Sequence, residues 1–159
     1  MRLRKPDWDT WLDMADLYAS RMSGCKKVSV GSVIVGNNNT TVMGFGANRA
    51  IPDLCTVTEC MRIQKYGNND KTHRGPGDCR AIHSEVDAIC NASAPVRGAT
   101  IYVTRYPCEA CARAIVSAGI KKVIYGRQQQ ITPETANIFE SSGVDVVWNK
   151  QWDAVDVEN

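Results

Sequence analysis

The run from His83 to Cys111 constrains this chain more than any other part of it. It opens His83-Ser84-Glu85, closes Pro107-Cys108-Glu109-Ala110-Cys111, and holds an apolar, strand-like segment at 99–104 between the two. One imidazole and two thiols are donor types that zinc takes in catalytic sites, where three protein ligands leave a fourth position open. A helix starting near Cys108 puts Cys108 and Cys111 at i and i+3, so both sulfurs share a side. Pro107 suits the entry to that helix, and the first-turn N–H groups favour thiolate over thiol. A second helix starting near His83 leaves Glu85, two residues on, free to stand beside the metal's open position. The fold must therefore bring two helix N-termini together on one side of a sheet.

The five residues match the pattern H-x-E…P-C-x-x-C, the signature of zinc-dependent base deamination. A lone Cys-x-x-Cys would fit a structural zinc knot, a redox pair or buried thiols equally well. The upstream His-x-Glu separates these cases, because a purely structural site has no use for an unligated carboxylate. In such chemistry zinc brings the pKa of a water down to about 7. The resulting hydroxide attacks the amine-bearing ring carbon, and Glu85 carries protons as base and then acid.

The rest of the chain supplies the scaffold. Residues 7–22 have an amphipathic helical pattern with Asp7 as cap; Trp8, Trp11, Leu12, Ala15, Leu17, Tyr18, Ala19 and Met22 include its i, i+3, i+4, i+7 stripe, and the aromatic face is expected in the core. Segments 28–35 and 41–45 flank Asn37-Asn38-Asn39 as a hairpin, and Gly44 and Gly46 mark a close backbone approach, to a ligand or at a bulge. Helices are expected over 82–90, 108–118 and 133–142, and strands over 99–104, 121–125 and 144–148. Cys90 is expected in the core and the tail after Trp152 in solvent. This order predicts a three-layer α/β/α sandwich around one mixed sheet of about five strands, with the last three strands parallel, as a single domain over 1–159.

Residues 48–80 show no clear period, and a stretch that long without regular structure is functional, disordered or pinned. It contains Cys55, Cys60, His73 and Cys79 in the spacing C-x4-C-x12-H-x5-C, with Cys25 upstream as a competing donor. The pattern could hold a structural zinc in place of an apolar core, or these are unpaired thiols in an insertion. Seven cysteines, an odd count, point to metal ligation and burial in a reducing compartment and away from disulfides. Net charge is +2, too weak a basic excess to argue for a polynucleotide partner. No apolar run is long enough to span a membrane, and the first residues lack an apolar signal core, so a cytoplasmic location is expected.

On these residues the chain resembles the cytidine/deoxycytidylate deaminase superfamily, and the deoxycytidylate (dCMP) deaminases in particular. The likeness is carried by 25–35, by the Cys-bearing insertion 48–80, by 81–89 with the H-x-E motif, and by 101–120 with Pro107-Cys108-Glu109-Ala110-Cys111. It implies conversion of dCMP to dUMP and ammonia, with Zn2+ on His83, Cys108 and Cys111 and Glu85 as proton shuttle. It places the backbone around Thr104 to Tyr106 against the base. It also implies a second zinc drawn from Cys25, the insertion cysteines and His73, ten residues before His83. A homo-oligomer, commonly a hexamer, and control by deoxynucleoside triphosphates with Mg2+ come with the family. Two departures stand out. Ser84 replaces the family's usual Ala, a small-for-small change from which little is expected. The family's Gly-Tyr-Asn-Gly appears as 44–49, so the sugar-contacting Asn is either replaced by Gly46 or displaced to Asn48, with Arg49 as candidate phosphate partner. Superfamily members acting on dCTP, cytidine or tRNA adenosine share the zinc motif, and a non-catalytic zinc-stabilised binding module could keep it.

Overall fold

Strand β1 (Gly31–Val35) has five buried residues in succession, so it must be covered on both faces. Antiparallel β2 (Val42–Ala47) pairs along one side, with Val33 opposite Phe45 and an irregularity between Ile34 and Val35. The connecting turn places Asn39 at φ 56°, a conformation that Asn tolerates. On its other side β1 meets antiparallel β3 (Thr100–Arg105), with Val33 opposite Tyr102. Helix α4 (Glu109–Ser117) and helix α5 (Pro133–Ser141) carry the chain back each time, so β4 (Lys122–Arg127) and β5 (Asp145–Trp148) add in parallel. The sheet order is β2-β1-β3-β4-β5, the mixed five-stranded sheet expected. The computed structural model describes residues 7–68, 79–128 and 132–155.

Strand alternation sorts the apolar side chains into two cores. Val33, Val35, Tyr102 and Ile124 pack with Trp11, Leu12 and Ala15 of α1 (Trp8–Met22) and Trp152 of α6 (Lys150–Val155). Ile34, Ile101, Val103 and Val123 pack with Ala88 of α3 (Ser84–Cys90), Ala112 and Ile115 of α4 and Phe139 of α5. Helices therefore lie on both faces, giving three layers. Asp7 caps α1 by accepting from Thr10 N, and Thr132 caps α5 by accepting from Thr135 N. At α3 and α4 the N-cap positions are His83 and Cys108, and neither makes a side-chain cap bond. A Ser, Thr or Asp there would contribute roughly 1 kcal/mol to each helix. Both cap positions are given instead to residues of a type that can donate to a metal.

Several expectations need correction. β1 begins at Gly31 rather than at residue 28. Trp8, Leu17 and Met22 are exposed, since the buried face of α1 is only as wide as Trp11, Leu12, Ala15 and Ala19. Cys90 is exposed, not core: two residues past buried Ala88, it falls on the opposite side of the helix. The featureless insertion contains a short helix, α2 (Met61–Tyr66). After β5 the chain forms α6, held by Trp152, which is buried and whose indole N–H donates to Asp13 Oδ1 at 2.8 Å; of the tail expected in solvent after Trp152, residues 156–159 lie outside the described residues.

Gly44 and Gly46 answer to a helix, not to a ligand. A Cβ on Gly46 would lie 1.9 Å from the Ser84 carbonyl oxygen, and one on Gly44 would lie 2.7 Å from that of Ala88. Their missing side chains let α3 settle directly on β2. A backbone bridge between Arg49 and Ile82 (2.9 and 3.0 Å) fixes the chain where it enters α3.

Candidate active site

His83, Cys108 and Cys111 meet at the N-terminal ends of α3 and α4. Their donor atoms lie within 4.8 Å of one another, and among the described residues no other three His, Cys, Asp or Glu side chains do so. His83 Nδ1 is 3.5 Å from Cys108 Sγ and 3.4 Å from Cys111 Sγ. Zinc–sulfur bonds of about 2.3 Å and zinc–nitrogen bonds of about 2.0–2.1 Å at tetrahedral angles put nitrogen and sulfur about 3.5 Å apart. The spacing and the donor types both fit zinc.

The three side chains are coupled electrostatically, and Cys108 is the one shifted toward the form that ligation needs. The Cys111 hydrogen bond, with help from His83, holds the Cys108 thiol down to about 4. Cys108, and then Cys79, raise the His83 imidazole to about 10. Cys111 is pushed the other way by its bond to Cys108 and by burial. Thiolate character at Cys108 is what metal ligation needs.

Glu85 completes the cluster. Only 4% exposed, it sits close enough to Cys111 for their side chains to interact. Burial raises its carboxyl pKa, while the charge of His83 and a hydrogen bond from Ser84 pull the other way. It faces the donors rather than bulk solvent. Around it Ser84 Oγ donates to Glu85 Oε2 at 3.1 Å, and Ser32 Oγ lies 2.7 Å from Ser84 Oγ.

The remaining candidates are placed differently. Asn48 is buried and occupied by the fold: Oδ1 accepts from Ser23 Oγ (2.6 Å) and Val30 N (2.8 Å), and Nδ2 donates to Val28 O (2.8 Å). Arg49 Nε donates to both Asp87 oxygens (2.7 and 2.8 Å), and its Nη2 reaches Tyr18 Oη at 3.4 Å. Asp87, 4% exposed, also accepts from Ala47 N and Asn91 Nδ2. Thr104 is buried with Oγ1 accepting from Gly31 N, and the Tyr106 ring stands edge-on to Tyr125 at 4.9 Å. Of the second-metal candidates, His73 lies outside the described residues, and Cys25, Cys55, Cys60 and Cys79 supply no group of three donors among those described. Cys79 instead hydrogen-bonds His83, which lowers its pKa.

Ser32 and Asp87 escaped the sequence reading. The available signals were a hydroxyl inside the otherwise apolar run Gly31–Val35 and an acid on the buried side of a helix. Such groups need partners, and the sequence does not say where those partners are.

A half-buried imidazole and two thiols with an unligated, buried carboxylate beside them define a metal-assisted hydrolytic site of the deaminase class. The profile described as the cytidine and deoxycytidylate deaminase zinc-binding region matches residues 6–127, and the chain belongs to that family. It is 30% identical over 147 residues to ComE operon protein 2 of Bacillus subtilis, covering 91% of this chain and 72% of that one. It is 33% identical over 131 residues to the deoxycytidylate deaminase of Mycobacterium phage D29, covering 79% of this chain and 99% of that one. In fold it resembles the crystal structure of dCMP deaminase from cyanophage S-TIM5 in complex with dCMP and dUMP, with TM-score 0.68 and 23% identity over 92% of this chain and 99% of that one.

Proposed function

We propose that this protein hydrolyses deoxycytidylate to deoxyuridylate and ammonia, with Zn2+ held by His83, Cys108 and Cys111 and with Glu85 as the proton shuttle. The observation that carries the reading is the buried Glu85 carboxylate beside, but outside, a donor triangle of zinc dimensions. Zinc bound there supplies Lewis acidity, making a nucleophilic oxygen available near neutral pH. Glu85 accepts a proton from the attacking water, passes it to the ring nitrogen and then protonates the departing amine. The exocyclic C–N bond breaks and a C=O bond replaces it; one of the water's protons stays on the ring nitrogen and the other leaves with the amine as ammonia. Burial suits Glu85 to both roles, since a carboxyl group of raised proton affinity serves as base and then as acid. The monophosphate follows from the kinship with the phage deoxycytidylate deaminase over almost all of that protein's length.

Glu85→Gln should keep zinc and lose nearly all turnover. Ammonia release from dCMP, dCTP, cytidine and an adenosine-containing anticodon stem, measured alongside metal content, tests the substrate. Near-wild-type turnover by Glu85→Gln would overturn the mechanism, and preference for another substrate would overturn the specificity. The same reading extends to a second zinc that includes His73, regulation by Mg2+–triphosphate, a homo-oligomer and a cytoplasmic location. Metal stoichiometry, triphosphate titration, sedimentation and cell fractionation check these in turn. No helix among the described residues is long and apolar enough to cross a membrane.

A further inference from the structure

Three polar side chains are lined up behind the donor triangle: Ser32 of β1, Ser84 of α3 and Glu85. Both serines are wholly buried and Glu85 nearly so. Ser84 Oγ donates to Glu85 Oε2 at 3.1 Å, and Ser32 Oγ stands 2.7 Å from Ser84 Oγ. A hydroxyl has one proton to give. Since Ser84 gives its proton to the carboxylate, the short contact between the serines must run from Ser32 to Ser84. The result is a one-way chain, Ser32 to Ser84 to Glu85, anchored in the sheet and ending on the carboxylate. Ser32 is held opposite Gly46 and Val103 in the sheet register, so the anchor is rigid.

We infer that Ser84, oriented by Ser32, is a positioning residue that holds the Glu85 carboxylate in the conformation its proton transfers require. The inference rests on Glu85 being the proton shuttle. It also overturns the expectation that little hangs on Ser in place of the family's usual Ala, because only the hydroxyl can make this bond. Without it, a carboxylate on two flexible methylene groups would keep only its contact with Cys111 and its own backbone amide to orient it. Chained donors in a dry interior also strengthen one another. The hydrogen bond of Ser32 reaches Glu85 through Ser84, and this dependence can be measured.

The experiment compares wild type, Ser84→Ala, Ser32→Ala, the double variant and Glu85→Gln for kcat and KM on dCMP, zinc content and Tm. Ser84→Ala should lower kcat by about tenfold with KM and bound zinc unchanged, the mark of an interaction that matters in the transition state. Ser32→Ala should lower kcat less, by about threefold, and the double variant should match Ser84→Ala instead of multiplying the two losses. Wild-type kcat in Ser84→Ala, or strictly multiplicative losses in the double variant, would overturn the relay. A crystal structure of Ser84→Ala should show Glu85 in more than one rotamer, and a single unchanged rotamer would also count against it. Retained turnover in Glu85→Gln would instead defeat the parent reading, so the two failures can be told apart. Loss of zinc or a collapsed Tm in Ser84→Ala, with kcat per bound zinc unchanged, would assign the serine to scaffold and refute positioning.

Discussion

Substituting Gly46 with Ala tests how the sheet positions the chemistry. The added Cβ would lie 1.9 Å from Ser84 O, 2.5 Å from Ala88 N and 2.9 Å from Ala88 Cβ. Two of these three atoms are backbone, so no rotamer change relieves the clash. Helix α3 must retreat from β2 by about 1 Å, and that helix carries Glu85 and is capped by His83. A misplacement of that size at a reacting group costs on the order of 10²-fold in rate. Overpacking of this kind also costs about 1–3 kcal/mol of stability.

The assay is kcat for dCMP deamination per bound zinc, read beside a urea midpoint. Gly143→Ala is the control: its φ of +66° makes Ala costly, but nothing lies within 4 Å of the new Cβ. That variant should lose about 1–2 kcal/mol and keep wild-type kcat. Gly46→Ala should lose both. A Gly46→Ala protein with unchanged kcat would refute the claim that close seating of α3 on β2 sets the position of Glu85.

Three further outcomes follow from the buried polar groups. Asp87→Ala leaves Ala47 N and Asn91 Nδ2 short of an acceptor and should cost about 2–4 kcal/mol by chemical denaturation, while Arg49→Ala leaves the buried Asp87 carboxylate without its cation and should cost at least as much, since the Arg49 side chain is 37% exposed and that of Asp87 only 5%. Asn48→Ala removes three hydrogen bonds and should lower stability by about 2–4 kcal/mol; a raised KM with unchanged stability would instead make it a substrate contact. Burial raises the Tyr102 phenol from 10.0 to about 12, so above about pH 10 the unfolded chain releases a proton that the folded chain keeps. Stability should therefore be full below that pH and fall by about 2–3 kcal/mol as pH rises through this window, and Tyr102→Phe should flatten the slope between urea midpoints at about pH 9 and about pH 12.

The chemistry could be read from residue types because metal ligation is local and demanding. His83, Glu85, Cys108 and Cys111 announce themselves by identity and spacing, and helical geometry alone puts the two sulfurs on one side. Alternating strand and helix patterns likewise gave the mixed five-stranded sheet and its parallel half, while the spatial order of the strands came from the fold. The tertiary structure decided what depends on contacts between distant segments. It gave Gly44 and Gly46 to a helix 40 residues on, paired Arg49 with Asp87, and occupied Asn48 with the loop before β1. It also drew the last helix into the core through Trp152, the one aromatic after β5. A buried polar group shows in sequence only as a residue type, and its partner is set by which surfaces the folded chain presses together. For that reason the hydroxyl of Ser84 looked interchangeable with a methyl group until Ser32 and Glu85 were found on either side of it.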